Sequence, residues 1–155
     1  MNTSEFISRS AEETIQKGRE LAIKLTPPIV ILLSGDLGSG KTTLTKGLVS
    51  GLGAASEEEV TSPTFSLVHV FCSGCKVYHV DLYRVEGFHD LETLGLEDAL
   101  SEPAVLIVEW AERFSLRSDW PAMQVRLEHL DDDCRRITIS NGWPVPLVHT
   151  KENRT

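Results

Sequence analysis

Apolar residues early in the chain recur at helical spacing. Ile15, Gly18, Leu21, Ala22 and Leu25 share one face of a helix predicted over residues 11–25. Ser10, with Glu13 three residues on, has the form of a capping box at its start, and Pro27-Pro28 stops it. The pattern then changes. Ile29-Val30-Ile31-Leu32-Leu33 is unbroken aliphatic, as expected of a strand buried on both faces of a sheet. A glycine-rich turn follows. A second helix is predicted over roughly residues 41–51, with Leu44, Leu48 and Val49 on its apolar side and Gly51 and Gly53 ending it.

Downstream the pattern is mostly that of strands. Phe65–Phe71 and Lys76–Val80 are read as two strands joined by the turn Cys72-Ser73-Gly74-Cys75. Residues 89–100 carry Leu91, Leu94, Leu96 and Leu100 and read as broken helical turns around Gly95. Ala104–Val108 is a second fully apolar strand, ending in Glu109-Trp110. Met123–Leu130 and Arg135–Ser140 alternate apolar and polar residues, with Asp131-Asp132-Asp133 near the turn between them, and suit an antiparallel pair at a sheet edge. Glu57-Glu58-Glu59 reads as a solvated acidic loop. The polar tail after Pro146 is expected to fray, and no repeat, linker or low-complexity tract interrupts the chain.

Composition narrows the class. A chain of 155 residues with 41% hydrophobic and 25% charged residues is expected to form one domain with a single core. Its apolar runs fall well short of the roughly 20 residues that span a bilayer, and the N-terminus lacks the basic-then-apolar form of a signal peptide. Three cysteines do not make a disulfide framework, so a reducing cytoplasm is the simplest compartment. A net charge of −8 repels phosphate backbones and argues against autonomous nucleic-acid binding, while leaving action on RNA through a partner open.

The candidate chemistry lies in the turn between the first strand and the second helix. Gly35-Asp36-Leu37-Gly38-Ser39-Gly40-Lys41-Thr42 matches the P-loop pattern G-x-x-x-x-G-K-[ST] in full. Triphosphate oxygens need several donors converging on one point. Glycines let the backbone aim its N–H groups inward, and the following helix adds its N-terminal dipole. Lys41 is then expected to bring positive charge to the β- and γ-phosphates, and the Thr42 hydroxyl to ligate Mg²⁺. No Asn-Lys-x-Asp sequence for guanine is present, which favours ATP over GTP. The motif sits where the mechanism requires, directly after a buried strand and before a helix. The predicted fold is α/β: a P-loop NTPase-like three-layer arrangement with a mostly parallel central sheet and antiparallel edge strands.

A magnesium site also needs carboxylates at the ends of neighbouring strands. Asp81 closes Lys76–Val80 and Glu109 closes Ala104–Val108, each in the Walker B pattern of an acid after an apolar strand. Each acid is also readable as a carboxylate capping a following turn, and which of them holds the metal directly is open. Cys72-x-x-Cys75 with His69 and His79 nearby invites a zinc or redox reading, but structural zinc takes ligands from two spaced pairs and only one Cys pair exists. Cys134 is read as a core or strand residue, Trp120 and Trp143 as packing residues, and His89, His129 and His149 show no partner pattern.

The P-loop with Thr43 after it, then Thr61-Ser62-Pro63-Thr64-Phe65, Asp81-Leu82-Tyr83-Arg84 and Val108-Glu109-Trp110, in this order and spacing, resemble the TsaE (YjeE) family, over roughly residues 10–140. That family is the bacterial ATPase of threonylcarbamoyladenosine (t6A) synthesis at position 37 of tRNAs reading codons that begin with adenine. The resemblance implies ATP hydrolysis that is weak alone and stimulated within a complex with TsaD and TsaB, with tRNA reached only through that complex. It also implies that Ser62-Pro63-Thr64-Phe65 is a switch-like loop whose Thr64 senses the γ-phosphate or metal, that Asp81 and Glu109 are essential acids, and that Trp110 lies near the nucleotide. From the residues alone, Ser62–Phe65 reads instead as a strand entry with Phe65 in the core. Arg84 is open between a charge stabiliser in cis and a partner contact.

Other classes remain in view. A small-molecule P-loop kinase should carry an arginine-rich acceptor site and a lid, for which the chain offers little room. A regulatory GTPase lacks its guanine motif. A nucleotide-dependent regulatory module that does not hydrolyse would have no use for Asp81 and Glu109.

Overall fold

The computed structural model describes residues 2–36, 38–60, 68–73, 75–81, 102–109 and 120–142, of which 2, 68–73, 75 and 142 are described by backbone alone. In chain order these form β1 (Asn2–Ser8), α1 (Ala11–Ile23), β2 (Ile29–Ser34), α2 (Lys41–Gly51), a 3-10 turn (Glu57–Glu59), β3 (Val68–Ser73), β4 (Cys75–Asp81), β5 (Val105–Glu109), β6 (Ala122–His129) and β7 (Arg135–Gly142).

The seven strands make one sheet in the order β1-β7-β6-β2-β5-β4-β3. Its centre, β6-β2-β5-β4, is parallel. β7 and then β1 add antiparallel on one side, and β3 antiparallel on the other. The continuous apolar runs take the middle, as their lack of alternation requires. On one face Ile31, Leu33, Val105 and Ile107 pack with Leu21, Leu44 and Leu48 of the helices. Val30, Leu32, Leu106 and Val108, turned to the other face by the pleat, are buried as well, so these strands are covered on both sides. β6 is half-solvated: Met123, Val125 and Leu127 enter the core while Gln124 and Arg126 are exposed.

The helices form where the spacing puts them. Ser10 caps α1, its side chain accepting from the Glu13 N–H at 3.1 Å, which contributes about 1 kcal/mol. The Glu13 carboxylate reaches one residue beyond the expected box and accepts from the Arg9 N–H at 2.8 Å. The helix ends at Ile23, and Leu25 still packs into the core beyond it. α1 and α2 cross with their backbones in contact. A Cβ on Gly47 would stand 2.0 Å from the Ile15 carbonyl oxygen, and one on Gly18 would stand 2.5 Å from that of Leu44.

Five sequence expectations are corrected. β1 was not anticipated, because Asn2–Ser8 is mostly polar; it forms by pairing along β7, from Asn2 with Asn141 to Ser8 with Arg135. The β6–β7 pair is consequently not a sheet edge: β6 borders β2 and β7 borders β1. Glu57-Glu58-Glu59 is a 3-10 turn with its own capping box from Ser56 rather than an irregular loop, with Glu58 and Glu59 exposed as expected. It is docked through an Arg19–Glu57 ion pair and through Lys46 Nζ, which donates to the carbonyls of Glu57 (3.2 Å) and Val60 (2.7 Å). Cys134 lies in the β6–β7 turn, half-buried, its N–H donating to Asp131 O. The β3–β4 hairpin is tighter than read, since Ser73 already pairs with Cys75.

The expected turns over 89–100 and the polar tail after Pro146 lie outside the described residues. Among the described residues no helix is long and apolar enough to cross a membrane.

Candidate functional site

The glycine-rich turn leaves the C-terminal end of β2 and enters α2. Gly35, Gly38 and Gly40 have φ of 144°, 80° and 109°, a region that side chains make costly. Space is as restrictive as torsion at two of them. A Cβ on Gly35 would meet the Leu127 carbonyl oxygen at 2.4 Å and Ser39 Oγ at 2.6 Å; one on Gly40 would meet Arg135 Nε at 2.8 Å. The turn therefore rests on the β6–β7 hairpin, and the Arg135 guanidinium also donates to Gly38 O at 3.4 Å. Gly40 is the N-cap of α2 and offers no side-chain cap, so the first N–H groups of that helix face the turn without one.

Within this frame Lys41 is buried, and its ammonium donates to the carbonyls of Gly35 (2.6 Å) and Asp36 (2.9 Å). Ser39 Oγ is buried with no hydrogen-bond partner among the described residues. Asp36 is exposed, and Thr43 is half-buried on the first turn of α2. Thr42 points across to β5. Its hydroxyl donates to the Glu109 carboxylate, 3.2 Å from Oε1 and 3.1 Å from Oε2.

The strand ends bring the acids together by register. Asp81 stands opposite Glu109 on the paired parallel strands β4 and β5, and Leu33 of β2 stands opposite Glu109 on the other side. Asp81 is 6% exposed and Glu109 is 2% exposed, so both are carboxylates withdrawn from water. His79, two residues before Asp81 and thus on the same face of β4, is fully buried with Nε2 2.6 Å from Glu109 Oε2. A line of contacts therefore runs from the turn through Thr42 to Glu109 and His79.

The arrangement offers backbone N–H groups, one ammonium, one hydroxyl and two buried carboxylates around the C-terminal ends of β2, β5 and β4. Parallel α/β sheets bind ligands at such ends. Among the described residues no three or more His, Cys, Asp or Glu side chains form a metal cage. An ion of the magnesium type, which keeps few protein ligands and takes the rest from phosphate and water, suits such a donor set.

Of the residues expected from sequence, Gly35, Asp36, Gly38, Ser39, Gly40, Lys41, Thr42, Asp81 and Glu109 converge here. Leu37, Thr64 and the rest of Thr61–Phe65, Arg84 and Trp110 lie outside the described residues, as do the side chains of Cys72 and Cys75. Val60, the last described residue before Thr61, is fully buried and tied to α2 by Lys46. Two residues of the site were missed. His79 entered the sequence reading only as a zinc candidate, although its place two residues before Asp81 is a visible signal. Nothing in the sequence marks Arg135, which reaches the turn from β7 only through the fold.

The family model described as "Threonylcarbamoyl adenosine biosynthesis protein TsaE" matches residues 8–137. The chain belongs to the TsaE family. Several relatives named tRNA threonylcarbamoyladenosine biosynthesis protein TsaE are similar over most of their length. That of Treponema pallidum is 35% identical, covering 86% of this chain and 98% of the relative; that of Rickettsia bellii is 37% identical, covering 92% and 99%. TsaE of Bacillus subtilis is 37% identical over 83% of this chain and 80% of its own. The crystal structure of YdiB from that species superposes with a TM-score of 0.66 at 29% identity, covering 90% of this chain and 86% of YdiB. TsaE membership and this likeness agree with the α/β P-loop arrangement described above.

Proposed function

We propose that this chain binds ATP with magnesium at the turn Gly35–Thr42 and hydrolyses it as the ATPase of t6A formation at position 37 of tRNA, working with TsaD and TsaB in the cytoplasm. The observation that carries the reading is the Thr42–Glu109 contact, which joins a phosphate-type turn to a strand-end acid. The family membership supplies the pathway.

The residues fit the group. Gly35 and Gly40 leave no room for a Cβ, which lets the turn seat closely on the β6–β7 hairpin, and Ser39 Oγ is a buried polar atom with no hydrogen-bond partner among the described residues. Lys41, together with the N–H groups of the turn and of the start of α2, would hold the phosphates; Thr42 with Glu109 and Asp81 would hold magnesium. The bound ion supplies charge neutralisation at the β- and γ-phosphate oxygens. Lys41 exchanges loop carbonyls for phosphate oxygens, so its ammonium stays satisfied in both states. Glu109 fixes the Thr42 hydroxyl, and burial of both acids keeps bulk water from competing for them. Thr64 and Trp110 would complete the nucleotide contacts, by their family likeness.

Among the described residues no second site is evident for threonine, bicarbonate or an adenine acceptor, and the transfer chemistry is assigned to the partners. Its −8 charge gives no field that would draw free tRNA, so tRNA is met through the complex. In P-loop proteins the γ-phosphate orders a switch segment and hydrolysis releases it, and Thr61–Phe65 is that segment here. The test is reconstitution with TsaD, TsaB and the enzyme that forms threonylcarbamoyl-adenylate, counting modified tRNA per complex. Repeated turnover that depends on this chain, and ATPase activity stimulated by TsaD and TsaB, is the expected result. Equal turnover with wild type, with Lys41→Ala and with no added chain would overturn the assignment.

A further inference from the structure

We propose that His79 is a positioning residue that fixes the rotation of the Glu109 carboxylate toward Thr42, before any nucleotide arrives. The proposal rests on the reading of Glu109 as a magnesium-side acid and deepens it.

A histidine in the buried middle of a parallel sheet is costly unless its polar atoms are satisfied. His79 is fully buried, with Val77 two residues before it and Asp81 two residues after it on the same face of β4. Its Nε2 lies 2.6 Å from Glu109 Oε2, a close hydrogen-bonding approach for a nitrogen and a carboxylate oxygen. A carboxylate only accepts, so the contact calls for the tautomer with its proton on Nε2, which then donates.

Glu109 needs that donor. The terminal torsion of a glutamate is a broad rotor that packing alone holds poorly. Thr42 shares one hydroxyl hydrogen between both carboxylate oxygens, at 3.2 and 3.1 Å, and so does not choose between them. His79 does choose: it engages Oε2 alone. Oε2 is thereby committed to the sheet interior, and Oε1 is left as the oxygen with more lone-pair capacity on the side of the turn. β4 thus contributes twice, with an acid at its end and, behind that, the donor that aims the neighbouring strand's acid.

Partners of this kind behind a metal ligand typically alter metal affinity about 10- to 100-fold. The full-length chain is titrated with Mn²⁺ by electron paramagnetic resonance in the presence of a non-hydrolysable ATP analogue. Affinity for the analogue is measured separately by calorimetry in EDTA. His79→Leu fills the space without a donor; His79→Gln keeps an N–H. We expect His79→Leu to weaken Mn²⁺ binding about tenfold or more while metal-free analogue affinity stays within about twofold, and His79→Gln to recover most of the loss. Adding His79→Leu to Glu109→Gln should change Mn²⁺ affinity no further. A folded His79→Leu variant with wild-type Mn²⁺ affinity, or a fully additive loss in the double variant, overturns the proposal. If His79→Leu fails to fold by circular dichroism, His79→Asn decides, being too short to reach Glu109: a metal-specific loss supports the proposal and wild-type affinity overturns it. A wild-type chain that binds no analogue at all overturns the ATP reading itself, a result distinct from an unaffected histidine variant.

Discussion

The two walls of the site are built from opposite materials. The turn Gly35–Gly40 works through its glycines: three of its residues take positive φ, and two stand where a Cβ would collide with the β6–β7 hairpin. The strand-end wall works by side chains alone, with His79, Asp81 and Glu109 buried at the ends of β4 and β5 where register brings them level. A wall of backbone fails sterically, through shape. A wall of buried carboxylates fails chemically, through loss of a charge in a space that stays the same. Lys41 and Thr42, consecutive on the first turn of α2, connect the two: one is bonded to the turn and the other to Glu109.

That division predicts separable defects. The largest should come from Lys41→Ala. Two or more charge-assisted contacts at about 1.5–3 kcal/mol each imply a hundredfold or greater rise in the ATP dissociation constant, with an unchanged far-ultraviolet spectrum. Wild-type affinity in a calorimetric titration would remove the phosphate-site reading. Next come Asp81→Asn and Glu109→Gln. Each should cut partner-stimulated hydrolysis by about 10²-fold, while ATP affinity in EDTA changes by less than about threefold. If either variant loses metal-free binding as severely as Lys41→Ala, the walls are not separable.

Gly35→Ala tests the steric wall. Strain at φ 144° and the approach to Leu127 O should cost about 1–3 kcal/mol, or roughly 3–10 °C in Tm, together with weaker ATP binding. An unchanged Tm would show that the turn relaxes away from β6. The smallest effect is expected of Arg135→Ala, which removes one exposed donor to Gly38 and should raise the ATP dissociation constant roughly two- to tenfold. An effect equal to that of Lys41→Ala would make Arg135 a direct phosphate contact rather than a support.

The same division explains what could be read in advance. The turn was legible because its conformation is written in glycine spacing, and β2 and β5 were legible because strands covered on both faces carry continuous apolar runs. The start of α1 followed from Ser10 and the end of α2 from the glycines after Val49, whereas α1 stops at Ile23, two residues short of the expected span. β1 was not legible: Asn2–Ser8 gains its structure from a neighbour 139 positions away in register, Asn2 with Asn141, and a half-solvated flanking strand carries little apolar signal of its own. Misplacing the edge followed from missing that strand. Asp81 and Glu109 could be found because acids after apolar strands stand out. His79 could not be assigned beyond a ligand candidate, because its significance depends on which residue lies opposite it, and pairing is a property of the sheet.

The backbone contact between Gly18 and Gly47 bears on how a nucleotide signal can leave this site. No side chain lies between α1 and α2 at that crossing to compress or to change rotamer. A piston-like stroke of α2, driven from its phosphate end, would have to carry α1 with it as one block, or break a joint with no give. The stiff joint makes the helix pair an anvil, which a nucleotide bound at Gly35–Thr42 would have to move whole. A bulkier residue at either glycine should therefore loosen the anvil before it touches the phosphate cradle.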